Sequence, residues 1–200
     1  KHGDLPTFKT KISETGQFPL KVKKLEVLQI NVGYMCNQTC THCHVDAGPD
    51  RKEIMTRDTM LQCLEVIKST NAHTLDLTGG APEMNPDFRW FVDEASKAGI
   101  KDFIVRSNLT IITANKKYHD LPEFFKSHNV HVVSSMPHWT CGKTDKQRGD
   151  GVFNASIKAL KMLNDAGYGM PNSDLRLDLV YNPSGAVLPG NQVAMEKDFK

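Results

Sequence analysis

Apolar positions along the chain recur in two alternating rhythms: short β-branched runs, and longer stretches with apolar residues three and four apart. After a polar lead, 1–24, with little pattern of its own, residues 25–32 (LEVLQINV) read as a largely apolar strand. A helix is predicted over Arg57–Ser69, with Met60, Leu64 and Ile67 on one face and Cys63 beside that stripe as a small buried hydrophobe. The strand 73–77 (HTLDL) follows and runs into Thr78, Gly79 and Gly80. Asn85, Pro86 and Asp87 read as a cap, a first-turn proline and a first-turn acid; the helix they open is ended by Gly99 and buries Phe88, Phe91, Val92 and Ala95. Strands at 101–106 and 130–134 come next, then a helix over 153–166 with Ile157, Leu160 and Leu163 as its apolar face and Gly167 as its stop. A fifth strand, 175–181, is closed by Asn182 and Pro183, and the final run GNQVAMEKDFK reads as a helix that has barely begun.

Five strand–helix steps imply parallel strands joined by right-handed crossovers, and their regular alternation predicts an α/β barrel or open part-barrel rather than a doubly wound sheet. In such barrels reactive groups collect at the carboxyl ends of the strands. The expected organisation is the lead segment 1–24 followed by one core domain, 25–200, incomplete at its C-terminal end. No apolar run approaches the roughly 18 residues needed to span a bilayer, so membrane residence is not expected. Net charge is +2 with both signs interspersed, which gives no basic face for nucleic acid; Lys21, Lys23 and Lys24 read as a solvated approach to the first strand. Five cysteines, an odd number with irregular spacing and no signal peptide, fit a reducing cytoplasm better than a disulfide framework.

The chemistry concentrates in CNQTCTHC, directly after the first strand, where Cys36, Cys40 and Cys43 put three thiolates on one tight loop. A closed structural zinc site needs four protein ligands, whereas a cubane iron–sulfur cluster held by three cysteines keeps one iron open for a small molecule. His42 and His44 flank Cys43, so a zinc site of three cysteines and one histidine is the alternative at this point. Gly79 and Gly80 allow a ligand to approach the backbone, or form a simple turn. Arg148, near the same rim, is suited to pairing with a carboxylate or to a salt bridge at the start of a helix. Asn182 falls at the rim as well, and His138 reads as an ordinary loop residue.

Residues Leu25 to Cys43 resemble the opening segment of the radical SAM superfamily, and Gly79–Gly80 resembles its glycine-glycine-glutamate motif, with Ala81 and Pro82 displacing Glu83 by two positions. The resemblance implies a partial six-fold β/α barrel, TIM-like and stopping after its fifth strand. It implies a 4Fe-4S cluster on Cys36, Cys40 and Cys43, with S-adenosylmethionine chelated at the open iron. His42 then takes the usually aromatic place beside adenine, and Gly79 and Gly80 hold the methionine end. Asn108 and Ser134, at the ends of the third and fourth strands, line the adenosine pocket or serve as ordinary strand-end caps. Arg148 would also touch the cofactor. The superfamily's chemistry is reductive cleavage of S-adenosylmethionine to a 5'-deoxyadenosyl radical, fed by a donor such as flavodoxin or ferredoxin.

Within the superfamily, LTGGAPEMNPDFRWFV, RSNLTII, DKQRGDGVF and LDLVYNPSGAVLP together resemble the arsenosugar-biosynthesis group, whose members add a cysteine-rich C-terminal domain absent here. That likeness implies transfer of the 5'-deoxyadenosyl group to trivalent dimethylated arsenic. Cys141, in the loop after the fourth strand, is then a candidate substrate thiolate, because trivalent arsenic is thiophilic. Modification of a peptide or another small metabolite, and a non-catalytic iron–sulfur or zinc protein, are the alternatives.

Overall fold

The computed structural model of the protein describes residues 5–21, 23–183, 186 and 188–199. Parts of the 1–24 lead, position 22 of the lysine group, positions 184, 185 and 187 of LDLVYNPSGAVLP, and residue 200 lie outside the described residues. Five strands, β1 (Val27–Asn31), β2 (Thr74–Thr78), β3 (Asp102–Ser107), β4 (His131–Ser135) and β5 (Leu177–Val180), form one sheet in the order β1-β2-β3-β4-β5. Every neighbouring pair is parallel. Sequential order with all strands parallel is the winding of a barrel opened along one side, and it places every strand's carboxyl end on one rim.

The crossovers are helical: α2 (Arg57–Ser69), α3 (Phe88–Lys97), α4 (Thr110–Ala114) with α5 (Leu121–Ser127), and α6 (Cys141–Arg148) with α7 (Val152–Ala166). Two more helices, α1 (Phe8–Glu14) and α8 (Gln192–Phe199), precede and follow the sheet. The register fixes two faces. Leu28, Leu75 and Phe103 lie in one row across the sheet, and Ile30, Leu77, Val105, Val132 and Leu177 in the next. These rows face the helices and meet Met60, Leu64 and Ile67 of α2, Phe88, Phe91 and Val92 of α3, Leu121 and Phe125 of α5, and Leu163 of α7 in one core.

The opposite face stays polar where β1, β2 and β3 meet. Asp76 there accepts from Gln29 Nε2 at 2.7 Å and from Arg106 Nη2 at 2.9 Å, so its buried carboxylate is fully partnered.

Several expectations shift in detail. The buried stripe of α7 is Ser156, Ala159, Leu163 and Ala166, with Ile157 and Leu160 on its flank. Small residues at three of these four positions let the helix lie close to α4 and α5, with Ile157 and Leu160 at the edge of the contact. Asn85 caps less than expected: the N-cap of α3 is Asp87, while Asn85 Nδ2 donates to the carbonyls of Val32 and Met55, both at 2.9 Å. Its amide is spent tying the loop after β1 to the start of α3. The lead contains α1, capped by the Thr7 hydroxyl, which accepts from Thr10 N. No residue of α1 is buried, so no apolar stripe marks it in the sequence. Helix α6 was likewise unmarked, since Thr144 and Arg148 are its only buried side chains. Cys63 is half-buried against the core, as its place beside the α2 stripe implied. Among the described residues no helix is long and apolar enough to cross a membrane.

Phe91 is fully enclosed at the centre of this core. Phe91→Ala is expected to cost about 3–5 kcal/mol, read as a lowered midpoint in urea unfolding; an unchanged midpoint would contradict the packing.

Candidate cofactor site at the carboxyl ends of the strands

The loop after β1 is built as a second, irregular layer over the sheet rim. Val32 N donates to Thr78 O at 3.0 Å, Tyr34 N to Glu53 O at 2.8 Å and Cys36 N to Gly48 O at 3.1 Å. The turn after β2 then zips to it: Gly80 N donates to Gly33 O and Ala81 N to Met35 O, both at 2.9 Å. A Cβ on Gly79 would collide with Gly33 O, and one on Gly80 with Met35 O. Gly79 also has φ +142°, in the region that favours glycine. The paired glycines therefore serve first to bring two loops together.

That junction forms one wall of a cavity of about 290 Å³ lined by Cys36, Cys40, His42, Cys43, Gly79, Gly80, Asn108 and Arg148, all singled out from the sequence. His44, Gln38, Thr78, Arg106, Ser107, Val133, Ser135 and Val180 complete most of the lining. Ser134 is absent from it. Paired in register with Ser107 and Leu179, it is fully buried towards the helices, and the next residue, Ser135, faces the cavity instead. Successive strand residues alternate faces, so the strand-end serine of the pocket is displaced by one position. Cys141 is absent too. It is exposed at the start of α6, and the Asp145 carboxylate, 3.4 Å from its Sγ, pushes the thiol's pKa up and disfavours a thiolate. Asn182 bonds to Gln147 at the rim, with Asn182 Nδ2 donating to Gln147 Oε1 at 3.1 Å. His138 stacks on Trp139 with ring centroids 3.9 Å apart.

A belt of buried amides fixes the cysteine loop. Asn108 Nδ2 donates to Asn37 Oδ1 at 2.7 Å and approaches Cys36 Sγ at 3.5 Å. Thr110 Oγ1 accepts from Asn37 Nδ2 at 2.9 Å and Gln38 Nε2 at 2.7 Å, and Arg148 Nη2 donates to Gln38 Oε1 at 2.7 Å. Leu109, between Asn108 and Thr110, adopts φ +65°, an uncommon conformation for a bulky residue, and this turn directs both flanking side chains into the belt. Gln38 carried no signal in the sequence beyond its place inside the cysteine run.

Burial pushes the Cys36 and Cys40 thiols above their usual pKa, while Arg148 pulls both down. His42 is shifted down, by partial desolvation first and then by the Arg148 charge. Among the described residues no three His, Cys, Asp or Glu groups are placed to hold a single metal ion. A four-iron cluster distributes its cysteine ligands over different irons, and three soft thiols set around a cavity suit it. The donor set and the enclosed space fit such a cluster with a small ligand at its open position.

Residues 30–174 match the Radical SAM superfamily. The chain belongs to that superfamily. Radical SAM proteins bind a 4Fe-4S cluster and S-adenosylmethionine. A probable GTP 3',8-cyclase of Saccharolobus islandicus is 24% identical over 146 residues, covering 72% of this chain and 46% of that protein. Mycofactocin maturase MftC of Mycobacterium tuberculosis is 29% identical over 141 residues, 68% of this chain and 33% of that one. This chain thus spans less than half the length of these relatives. Among solved structures, anSMEcpe with bound AdoMet superposes with a TM-score of 0.62 at 16% identity, over 78% of this chain and 43% of that one. Streptococcus suis SuiB bound to its precursor peptide SuiA gives 0.64 at 16% identity, over 95% and 39%. These likenesses show the fold, the partial radical SAM barrel.

Behind the cavity wall, Glu83 is buried with neither carboxyl oxygen hydrogen-bonded. Burial pushes its pKa up to about 7, against a smaller downward pull from the Ser107 hydroxyl. The folded state therefore keeps a proton that the unfolded chain, with a carboxyl near 4.5, has released, and stability falls as pH rises from about 4.5 to about 7. The loss is about 3 kcal/mol once Glu83 is ionised. Glu83→Gln removes this dependence, so urea unfolding at pH 5 and pH 8 should show the variant gaining on the parent as pH rises; parallel curves would refute the buried charge. Gly80→Ala is expected to destabilise by about 1–3 kcal/mol through the clash with Met35 O, whereas an unchanged unfolding midpoint would mean the two loops part easily.

Proposed function

We propose that Cys36, Cys40 and Cys43 hold a 4Fe-4S cluster, that S-adenosylmethionine occupies the cavity before them, and that the enzyme transfers a 5'-deoxyadenosyl group to trivalent dimethylated arsenic. The observation that carries the cofactor part is the convergence of three thiols, the glycine turn and a buried arginine on one cavity at the strands' carboxyl ends. Bound together, the two cofactors supply one-electron reductive cleavage of the sulfur–C5' bond.

The protein's own residues contribute placement and enclosure. The amide belt holds Cys36 and the backbone of 37–40 in a fixed arrangement, so little ordering remains when a cluster binds. Gly79 and Gly80 expose main-chain atoms to the cavity, which suits the amino-acid end of S-adenosylmethionine. His42 lines the mouth and supplies a flat ring for adenine. Asn108 reaches the cavity with its amide already engaged by Asn37 and Cys36, so in this reading it acts on the cofactor through the cysteine loop. Val133 and Val180 give the inner wall apolar surface that helps keep water from a reactive carbon centre.

The arsenic substrate rests on the segments LTGGAPEMNPDFRWFV, RSNLTII, DKQRGDGVF and LDLVYNPSGAVLP. The second reading is an enzyme acting on another small molecule or a peptide, and the relatives' names, a GTP 3',8-cyclase and a mycofactocin maturase, favour it. In either case a one-electron donor such as flavodoxin or ferredoxin is required. The domain spanning 25–200 would be the cofactor-binding part.

Full-length protein, reconstituted anaerobically with iron and sulfide, reduced, and incubated with S-adenosylmethionine and dimethylated trivalent arsenic, is expected to give a deoxyadenosyl–arsenic adduct by mass spectrometry. Replacing Cys36, Cys40 and Cys43 together by alanine should abolish cleavage. Free 5'-deoxyadenosine without adduct would remove the arsenic assignment, and no cleavage by an iron-loaded protein would remove the enzymatic one.

A further inference from the structure

Arg51, Arg57, Arg89 and Arg106 each pair with a carboxylate. Arg148 does not, among the described residues, although it is only 5% exposed. Its Nε has no hydrogen-bond partner. A buried guanidinium without an anion is costly, and folds retain one where an anionic group completes the site. The surroundings of Arg148 identify that group. Its Nη2 donates to Gln38 Oε1 at 2.7 Å, and the Cys40 thiol donates to the same oxygen at 3.4 Å. The groups able to carry negative charge that it interacts with are Cys40, Cys36 and Cys43, in that order of strength. Arg148 also ends α6, where Thr41 N donates to Gln147 O at 3.1 Å, so the backbone that carries it is bonded to the cysteine loop itself.

We propose that Arg148 is the fixed counter-charge of the iron–sulfur cluster, oriented by Gln38, and that it raises the cluster's reduction potential. This rests on the cluster assignment above. Adding an electron to a thiolate-bound cluster adds negative charge at a partly desolvated site, and a cation held beside it favours the reduced form. Loss of a unit charge at this range corresponds to roughly tenfold or more in the one-electron reduction equilibrium, and tenfold is about 59 mV. Arg148 is in this sense a positioning and electrostatic residue, with no part in bond making.

The test uses full-length protein reconstituted with iron and sulfide, and three variants. Arg148→Gln and Arg148→Met remove the charge with different polarity, and Arg148→Lys keeps it while losing the planar fork. Circular dichroism checks folding, iron and sulfide content check loading, and a potentiometric titration followed by electron paramagnetic resonance, without S-adenosylmethionine, reads the potential. The Gln and Met variants are expected to shift downward by about 59 mV or more, and the Lys variant to stay near the parent. An unchanged potential in loaded Gln and Met variants overturns the proposal. So does an unchanged potential with at least tenfold weaker S-adenosylmethionine binding, which would assign Arg148 to that ligand's carboxylate. A parent protein that takes up no cluster overturns the cluster assignment as well, and the iron and sulfide content separates that outcome from the others.

Discussion

Between the loop after β1 and the turn after β2 there is no room for a single additional carbon atom, because the space a side chain would fill at Gly79 and Gly80 is taken by the carbonyls of Gly33 and Met35. Two backbone hydrogen bonds seal the contact. The arrangement of the site follows from it. The cysteine loop is pinned to the sheet rim one residue before Cys36, which is why that thiol is buried while Cys40 and Cys43 remain partly open. The same contact turns the chain after Gly80 away from the rim, so that Glu83 enters the protein interior rather than the cavity.

Once pinned, the loop is held laterally by neutral groups and electrically by a charged one. Asn37, Gln38, Asn108 and Thr110 satisfy one another, so the belt is stable without any ligand. Arg148 is the exception, with one hydrogen bond to the belt and a buried nitrogen left over. The belt's geometry is thus complete among its own residues, while the Arg148 charge has no carboxylate partner among the described residues. A group that binds the folded state and supplies negative charge stabilises it by mass action, and such a site couples loading to folding.

The strand–helix alternation was legible because each strand of the core side carries apolar residues at period two and α2 and α3 carry them at helical spacing. What stayed hidden was built from polar residues. Helix α6, sequence CGKTDKQR, buries only Thr144 and Arg148, and read as a loop it left Arg148 at the approach to a helix rather than at a helix end bonded to the cysteine loop. The thiol cluster was legible because its spacing is a chemical constraint in itself. Ser134 illustrates the limit of such reading: the strand end was placed correctly to within one residue, and one residue is the difference between the cavity and the core. The amide belt joins residues about 70 positions apart and a loop to a short helix, and no local pattern encodes contacts of that kind.

The two faces of the sheet divide the work, and the divide is electrostatic. Glu83, Ser107, Ser134 and Ser156 are buried with side-chain oxygens unpartnered, a concentration of polar groups that apolar packing alone does not explain. On the open side, Asp76 and Arg106 neutralise each other, which leaves Arg148 as the buried unpaired charge among the described residues near the thiols. With its pKa at about 7, Glu83 is mostly neutral below that pH. Burying that carboxyl without partners costs stability as pH rises. Desolvation acts on both charges: it raises the Glu83 pKa, and around Arg148 it lets the cation be felt more strongly at the cysteines.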